Sequence, residues 1–164
     1  MIPMLRLDER LIHGQVAIKW SRHLNVDRIV VISDAAAGNP VIQKSLLMAA
    51  PPTAKTAVKG VDDAIVLLND PHAKDHRILV IVGTPGDMLR VVENVPNIEY
   101  LNIGNYGRVA SKMGTQPRKT YRPNLYAYDS EVEIFKKILD LGVKCYYQTT
   151  PDEAQENLAK IFEK

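Results

Sequence analysis

Apolar and polar positions along this chain switch repeatedly between a period of two and a period near 3.6, which predicts strands and helices in alternation. Met4-Leu5-Arg6-Leu7 reads as the end of a strand, and Val16-Ala17-Ile18-Lys19-Trp20 as the body of an amphipathic helix fading near His23-Leu24-Asn25. Arg28–Ser33 is a β-branched run of the kind buried on both faces of a sheet. Asp34–Pro40 reads as a loop, from which Asn39-Pro40 opens a helix with Val41, Leu46, Leu47 and Ala50 on one face and Pro51-Pro52 as its stop. Lys55–Lys59 is a weaker strand, and Val61–Leu68 a short helix with Asp62 and Asp63 in its first turn.

Asn69–His76 is polar and reads as a loop, and Ile78–Val82 is the clearest strand of the chain. Thr84 can cap the helix that Pro85 opens, with Met88, Leu89, Val91 and Val92 along it. Ile98–Ile103 reads as a strand, Arg108–Arg122 as an extended loop or hairpin, and Leu125–Tyr128 as a short strand. Asp129 or Ser130 caps a helix that Gly142 ends, and Val143–Gln148 is the last strand. Thr150-Pro151-Asp152-Glu153 then opens a final helix with Leu158, Ile161 and Phe162. This succession predicts one α/β domain over residues 1–164, three layers α/β/α, with a doubly wound, mostly parallel sheet of about six or seven strands. Its last strands are candidates for antiparallel pairing. In such a sheet the loops leaving the carboxyl ends of the strands converge on one crevice, here the His13 loop, the Thr84–Asp87 loop and the Asn102–Arg108 segment.

Composition narrows the class. The chain has 164 residues, 46% apolar and 24% charged, with a net charge of +2. That balance is ordinary for a globular protein and too small to argue for nucleic acid or a membrane. The basic segment Arg108–Arg122, with Tyr121 among its cations, is the only stretch that hints at nucleic acid, and a solvated loop beside an anionic site explains it better. One cysteine, Cys145, forms no internal disulfide and fits a packed strand in a reducing, cytoplasmic setting. No apolar run reaches bilayer length, and Arg6, Asp8, Glu9 and Arg10 interrupt any signal-peptide core.

The candidate chemistry lies between the first strand and the first helix. A helix start carries unpaired N–H groups and partial positive charge, so Gly14, Gln15 and Val16 suit an anion. Arg6 and Arg10 add two permanent cations that match phosphate geometry. His13 supplies a nitrogen nucleophile, and the set suggests phosphoryl transfer through a phosphohistidine. A capping or buried structural histidine is the competing reading of the same spacing. At the second junction, Thr84 serves equally as a plain helix cap or as a ligand contact. His72 and His76 stand four apart, a metal-ligand spacing on a helix, but the surrounding polarity favours a solvated turn, and no metal is assigned.

Arg6-Leu7-Asp8-Glu9-Arg10-Leu11-Ile12-His13-Gly14-Gln15-Val16 resembles the enzyme IIB subunit of the mannose/fructose/sorbose family of the bacterial phosphoenolpyruvate:sugar phosphotransferase system. Ile32-Ser33-Asp34, Ala50-Pro51-Pro52, Leu101–Asn105 and Gly142–Gln148 with Thr150-Pro151 extend the likeness over most of the chain. The resemblance implies a relay. His13 would take a phosphoryl group on Nδ1 from a phosphorylated IIA protein or domain and pass it to a sugar of the mannose, fructose, sorbose or N-acetylgalactosamine class. The sugar would be held by membrane IIC and IID subunits, and the chain would sit in the cytoplasm against them. It implies Arg10, with Arg6, as charge-neutralising residues, Asp8 as the residue that orients them, and Thr84 and Asp87 on a second loop by the histidine. No cofactor is expected, and a homo-oligomer stays open. The segment after Asn105 is longer and more basic than the family pattern, so matching across Tyr106–Arg122 is in doubt, and its cations are expected to help dock an acidic partner face.

Two rival readings remain at this point. A non-catalytic binding or regulatory domain of the same fold would keep the architecture without the transfer. A nucleotide-binding enzyme is disfavoured, because neither a G-x-x-x-x-G-K-[ST] loop nor a G-x-G-x-x-G after the first strand is present.

Overall fold

In the computed structural model, which describes residues 1–163, the elements run as follows. β1 (Met4–Asp8) leads to α1 (Gly14–Leu24), β2 (Arg28–Ile32), α2 (Asp34–Ala37), α3 (Pro40–Ala49), β3 (Lys55–Lys59) and α4 (Val61–Asn69). A 3-10 turn at Pro71–Asp75 precedes β4 (Ile78–Val82), α5 (Pro85–Asn94) and β5 (Leu101–Asn105). β6 (Lys119–Arg122), β7 (Leu125–Ala127), α6 (Asp129–Asp140), β8 (Cys145–Tyr147), β9 (Glu156–Asn157) and α7 (Leu158–Ile161) complete the chain. The main sheet has seven strands in the order β3-β2-β4-β1-β5-β8-β9. Its first six are parallel, and β9 runs antiparallel to β8. β6 and β7 form a separate antiparallel ribbon.

Period-two alternation explains the three layers. Met4, Ile29, Val31, Leu79 and Ile81 face one side with Ala17, Trp20 and Leu24 of α1 and Leu46 of α3. Their neighbours Leu5, Leu7, Val30, Val80 and Val82 face the other, against Val61 and Ala64 of α4, Met88 and Val91 of α5, and Phe135 of α6. Both faces are apolar because helices cover both. A single three-layer α/β/α domain results.

The strand order matters for function. β1 and β4 are neighbours, yet α1 leaves β1 onto one face while α5 leaves β4 onto the other. Such a divergence opens a crevice at the carboxyl ends of the two strands.

Four local expectations change. Asp34–Ala37 is helical rather than loop, because Ser33 Oγ accepts the Ala36 N–H at 3.1 Å and three alanines follow Asp34. The polar run after Asn69 coils into a 3-10 turn capped by Asp70, whose carboxylate accepts the His72 N–H at 2.8 Å. The fifth strand begins at Leu101 rather than Ile98, since Asn97 sits at φ 66° and Ile98 makes only an isolated bridge to Ile2. Thr150–Glu153 opens no helix. The Glu153 carboxylate accepts the Thr150 N–H at 3.0 Å and closes a turn, and the chain then pairs as β9 before α7. The expected helix over Asp129–Leu141 forms as α6, with Tyr128 at its cap position.

Candidate functional site: a charged network at the end of the first strand

Along β1 every residue is buried, including Arg6 and Asp8, which share the α1 face with Met4. Two charges buried in a sheet must be satisfied in full, and they are. Arg6, 2% exposed, donates through Nη1 to Asn102 Oδ1 at 2.6 Å and to the Gln148 carbonyl at 3.4 Å, and through Nη2 to Asp8 Oδ2 at 3.1 Å. Its Cζ lies 5.5 Å from the centre of the Trp20 ring, while Trp20 Nε1 donates to the Thr149 carbonyl at 3.0 Å. Burial pulls the guanidinium pKa below its ordinary value, and Asp8 opposes that pull. Beneath it lies Gly104, where a Cβ would stand 2.2 Å from Arg6 Cζ. The backbone there leaves room only for glycine.

Asp8 hands the network outward. Its Oδ1 accepts the Arg10 backbone N–H at 2.9 Å and Arg10 Nε at 3.3 Å. Arg10 is about one-third exposed and so stands at the rim with donors to spare. Arg6 does not reach the rim; its side chain is consumed internally. The three charges, two positive and one negative, leave one net positive charge at the surface.

Between Arg10 and α1 the backbone is constrained. Leu11 adopts φ 62°, its N–H donating to the Asp8 carbonyl at 2.9 Å, and its side chain lies on Gly83, where a Cβ would come within 3.2 Å of Leu11 Cδ2. A branched residue held in the left-handed region costs on the order of 1–3 kcal/mol and persists where surroundings over-determine it. Ile12 is buried, and His13, extended and exposed, takes the cap position of α1. Its side chain makes no cap hydrogen bond, and α1 has no acidic residue in its first turn. The N–H groups of Gly14, Gln15 and Val16 are therefore left without a side-chain partner.

At the second junction Thr84 Oγ1 accepts the Asp87 N–H at 3.1 Å and caps α5. Asp87 is half-buried, and burial followed by the nearby Asp34 pushes its carboxyl pKa up. Asp34 in turn accepts the Val61 N–H at 2.9 Å, tying the start of α4 to the same rim. Thr84 and Asp87 line a cleft of about 540 Å³ together with Glu9, Leu11, Ser33, Tyr106 and Met113. The fold thus gathers all three loops expected to converge, although His13 and Arg10 stand beside this cleft rather than in its lining.

One residue of the motif takes a role that its local sequence does not signal. Glu9 reaches about a hundred residues along the chain, where its carboxylate accepts the N–H groups of Gly107 (3.1 Å), Arg108 (2.9 Å), Val109 (3.3 Å) and Ala110 (3.1 Å). Successive N–H groups converging on one anion form a nest. Gly107, at φ 97° and pressed on the Tyr126 carbonyl, permits the turn. Nothing in the local sequence around Glu9 signals a partner so far away.

The basic segment also reads differently in three dimensions. The Arg118 side chain, 6% exposed, pairs with Glu131 at 2.8 Å and donates to the carbonyls of Ala110 and Ser111 at 2.9 Å each. It cannot dock an acidic partner face. Lys119 pairs with Asp129, and Arg122 with Glu156. His72 and His76 are likewise separated: three residues per turn place them on different faces, and they meet Asp70 and Asp27 respectively, at 3.0 and 2.7 Å.

Fold and site together define a doubly wound α/β domain with an anion-receptive rim at its switch point. From residue 2 to 164 the chain matches the family model for the sorbose-subfamily IIB component of the phosphotransferase system. A probable phosphotransferase enzyme IIB component of Streptococcus pyogenes serotype M6 is 35% identical over 162 residues, covering 98% of this chain and 99% of that protein. The mannose-specific EIIAB component of Escherichia coli K12 is 34% identical over 145 residues, 88% of this chain; the chain spans 43% of that longer protein. Among solved structures, the IIBSor domain of the sorbose permease from Klebsiella pneumoniae superposes with a TM-score of 0.87 at 28% identity, covering 98% of this chain and 95% of that one. The chain belongs to the sorbose-type IIB family of the phosphotransferase system, within the mannose/fructose/sorbose group. Among the described residues no helix is long and apolar enough to cross a membrane.

Membership corrects one expectation. The phosphohistidine assigned to His13, and with it the enzyme class named for that chemistry, is withdrawn as a property of the family. The matching proteins are named as IIB components and phosphotransferases, and none of those names states which residue carries the phosphoryl group. A cysteine is the competing acceptor, and the chain has one. That thiol is poorly presented: Cys145 is 3% exposed on β8, packed in the core, and burial pushes its pKa far up. A thiolate nucleophile needs the opposite environment. Family membership fixes the subunit.

Proposed function

We propose that this chain is a phosphocarrier: it takes a phosphoryl group from a phosphorylated IIA protein or domain at the rim between β1 and α1 and passes it on to a sugar held by membrane IIC and IID subunits. The observation that carries this reading is Asp8, which spends its charge on buried Arg6 and still fixes Arg10 by backbone and side chain at the surface. Phosphoryl transfer asks the protein for positioning and for stabilisation of a spread negative charge. Arg10 supplies a held guanidinium, and the first-turn N–H groups of α1 supply donors for equatorial oxygens. A carrier must also release what it accepts, and one net positive charge at the rim, rather than two, limits how far the loaded state is stabilised.

The test is transfer of label from phosphorylated IIA. Wild-type protein takes up one phosphoryl group per chain, and Arg10→Ala slows uptake. Uptake by Cys145→Ser but not His13→Ala places the group on the imidazole; the reverse places it on the thiol and requires the packing around β8 to open. Absence of label in the folded wild-type chain overturns the carrier reading.

A further inference from the structure

The Glu9 nest has a consequence for the rim. The segment it holds carries the two most exposed apolar side chains near the cleft, Val109 at 75% and Met113 at 56%. The same segment brings the Arg108 guanidinium to the Pro123 carbonyl at 2.6 Å and the Met113 N–H to the Tyr128 hydroxyl at 3.1 Å. Residues 107–113 form no helix or strand. Their order comes from side chains, chiefly from one carboxylate placed between Asp8 and Arg10. Large apolar groups exposed beside a site cost solvation unless something covers them, and such groups mark interaction surfaces.

We infer that Glu9 is a positioning residue: it clasps Gly107–Ala110 so that Val109 and Met113 stand as a fixed apolar wall beside the acceptor rim, against which the phosphoryl-donor protein docks. This rests on the carrier reading for the identity of the partner, while the clasp itself does not. The commitment to the donor follows from continuity, since Glu9 and Leu11, which flank Arg10 in the chain, line the same cleft as Val109 and Met113. It also assigns roles: Arg10 acts on the transferred group, and Glu9 acts on docking alone. Because the wall is preformed, binding does not spend free energy on ordering the loop.

Two measurements decide it. In Glu9→Ala, amide hydrogen exchange at residues 107–110 speeds up by at least tenfold while the strands β1, β4 and β5 keep their protection. In the same variant the KM for phosphorylated IIA rises about tenfold, and the single-turnover rate at saturating donor stays within about twofold of wild type. Val109→Ser with Met113→Ser, in which the clasp is intact, reproduces the KM effect without the exchange effect. Unchanged exchange in Glu9→Ala overturns the clasp. Faster exchange with an unchanged KM, or a lowered rate at saturation, overturns the docking role. Absence of any transfer in wild type would defeat the carrier reading, and with it the assigned partner, while the exchange result would still stand.

Discussion

Among the described residues, two arginine–carboxylate pairs have buried side chains, and they do opposite things. Arg6–Asp8 lies in the sheet between β1 and α1; Arg118–Glu131 lies between the long loop and α6. In the second pair every strong donor is turned inward. Arg118 serves Glu131 and two carbonyls while stacking 4.6 Å over the Tyr128 ring, and Glu131 also accepts the Tyr106 hydroxyl and the Tyr128 N–H. Burial by itself would raise the Glu131 carboxyl, but Arg118, Tyr106 and Tyr128 outweigh it and hold its pKa below the usual carboxylate range. In the first pair Asp8 turns Oδ1 wholly to Arg10 and shares Oδ2 between Arg6 at 3.1 Å and Arg10 Nη2 at 3.5 Å. Cation count says nothing about anion binding. What matters is which donors remain after the fold has taken its share.

Breaking the first pair should have the largest effect. Asp8→Ala strands a guanidinium with almost no solvent contact, and removing one partner of a buried pair costs about 3–5 kcal/mol. We expect a loss of about 4 kcal/mol in urea unfolding and loss of transfer together. Glu131→Gln should cost about 3 kcal/mol in the same measurement and leave transfer at the rim nearly unchanged. It also sharpens the comparison through pH. Because the folded pKa of Glu131 is depressed, its contribution is present above the unfolded carboxyl value of about 4.3 and is lost as pH falls through the folded value. Wild-type stability should therefore decline more steeply below about pH 4 than that of Glu131→Gln, and parallel slopes would refute the assignment.

Arg10→Ala should separate function from folding. Its side chain is partly exposed, so stability should change by under about 1 kcal/mol, while transfer from phosphorylated IIA falls by about 100-fold, as when one preorganised donor is removed. Equal losses in both measurements would make Arg10 a structural residue. Gly104→Ala is expected to cost about 2 kcal/mol, less than either buried-pair substitution, because the added methyl must displace a guanidinium held by Asn102 and Asp8. A thermal scan that finds no change would show that Arg6 has room to move.

Much of the architecture is legible in the sequence. Strong runs such as Ile78–Val82, and paired signals such as Asn39-Pro40 or Thr84-Pro85, state their structure locally. Weak or composite signals failed. Asp34–Ala37 became helical through one serine cap, and Thr150–Glu153, whose residues suit a helix start, closed a turn instead because Glu153 turned back on Thr150. At the site, His13 stands at the start of the first helix, as the strand–helix spacing predicts, whereas Arg6 reads as a second clamp and is an internal strut.

By itself the sequence determined the succession of strands and helices, the two apolar faces of the sheet and the family motif at its first junction, because periodicity, caps and turn residues act over a few positions. Only the tertiary structure decided which charges face solvent. Glu9 meets Gly107, Arg6 meets Asn102 and Gln148, and Arg118 meets Glu131 across separations of 13 to 142 residues, and burial sets the worth of each pair. Charge is written in the residue, but availability belongs to the fold, since the same guanidinium is a strut where its donors are spent and a ligand where they are not.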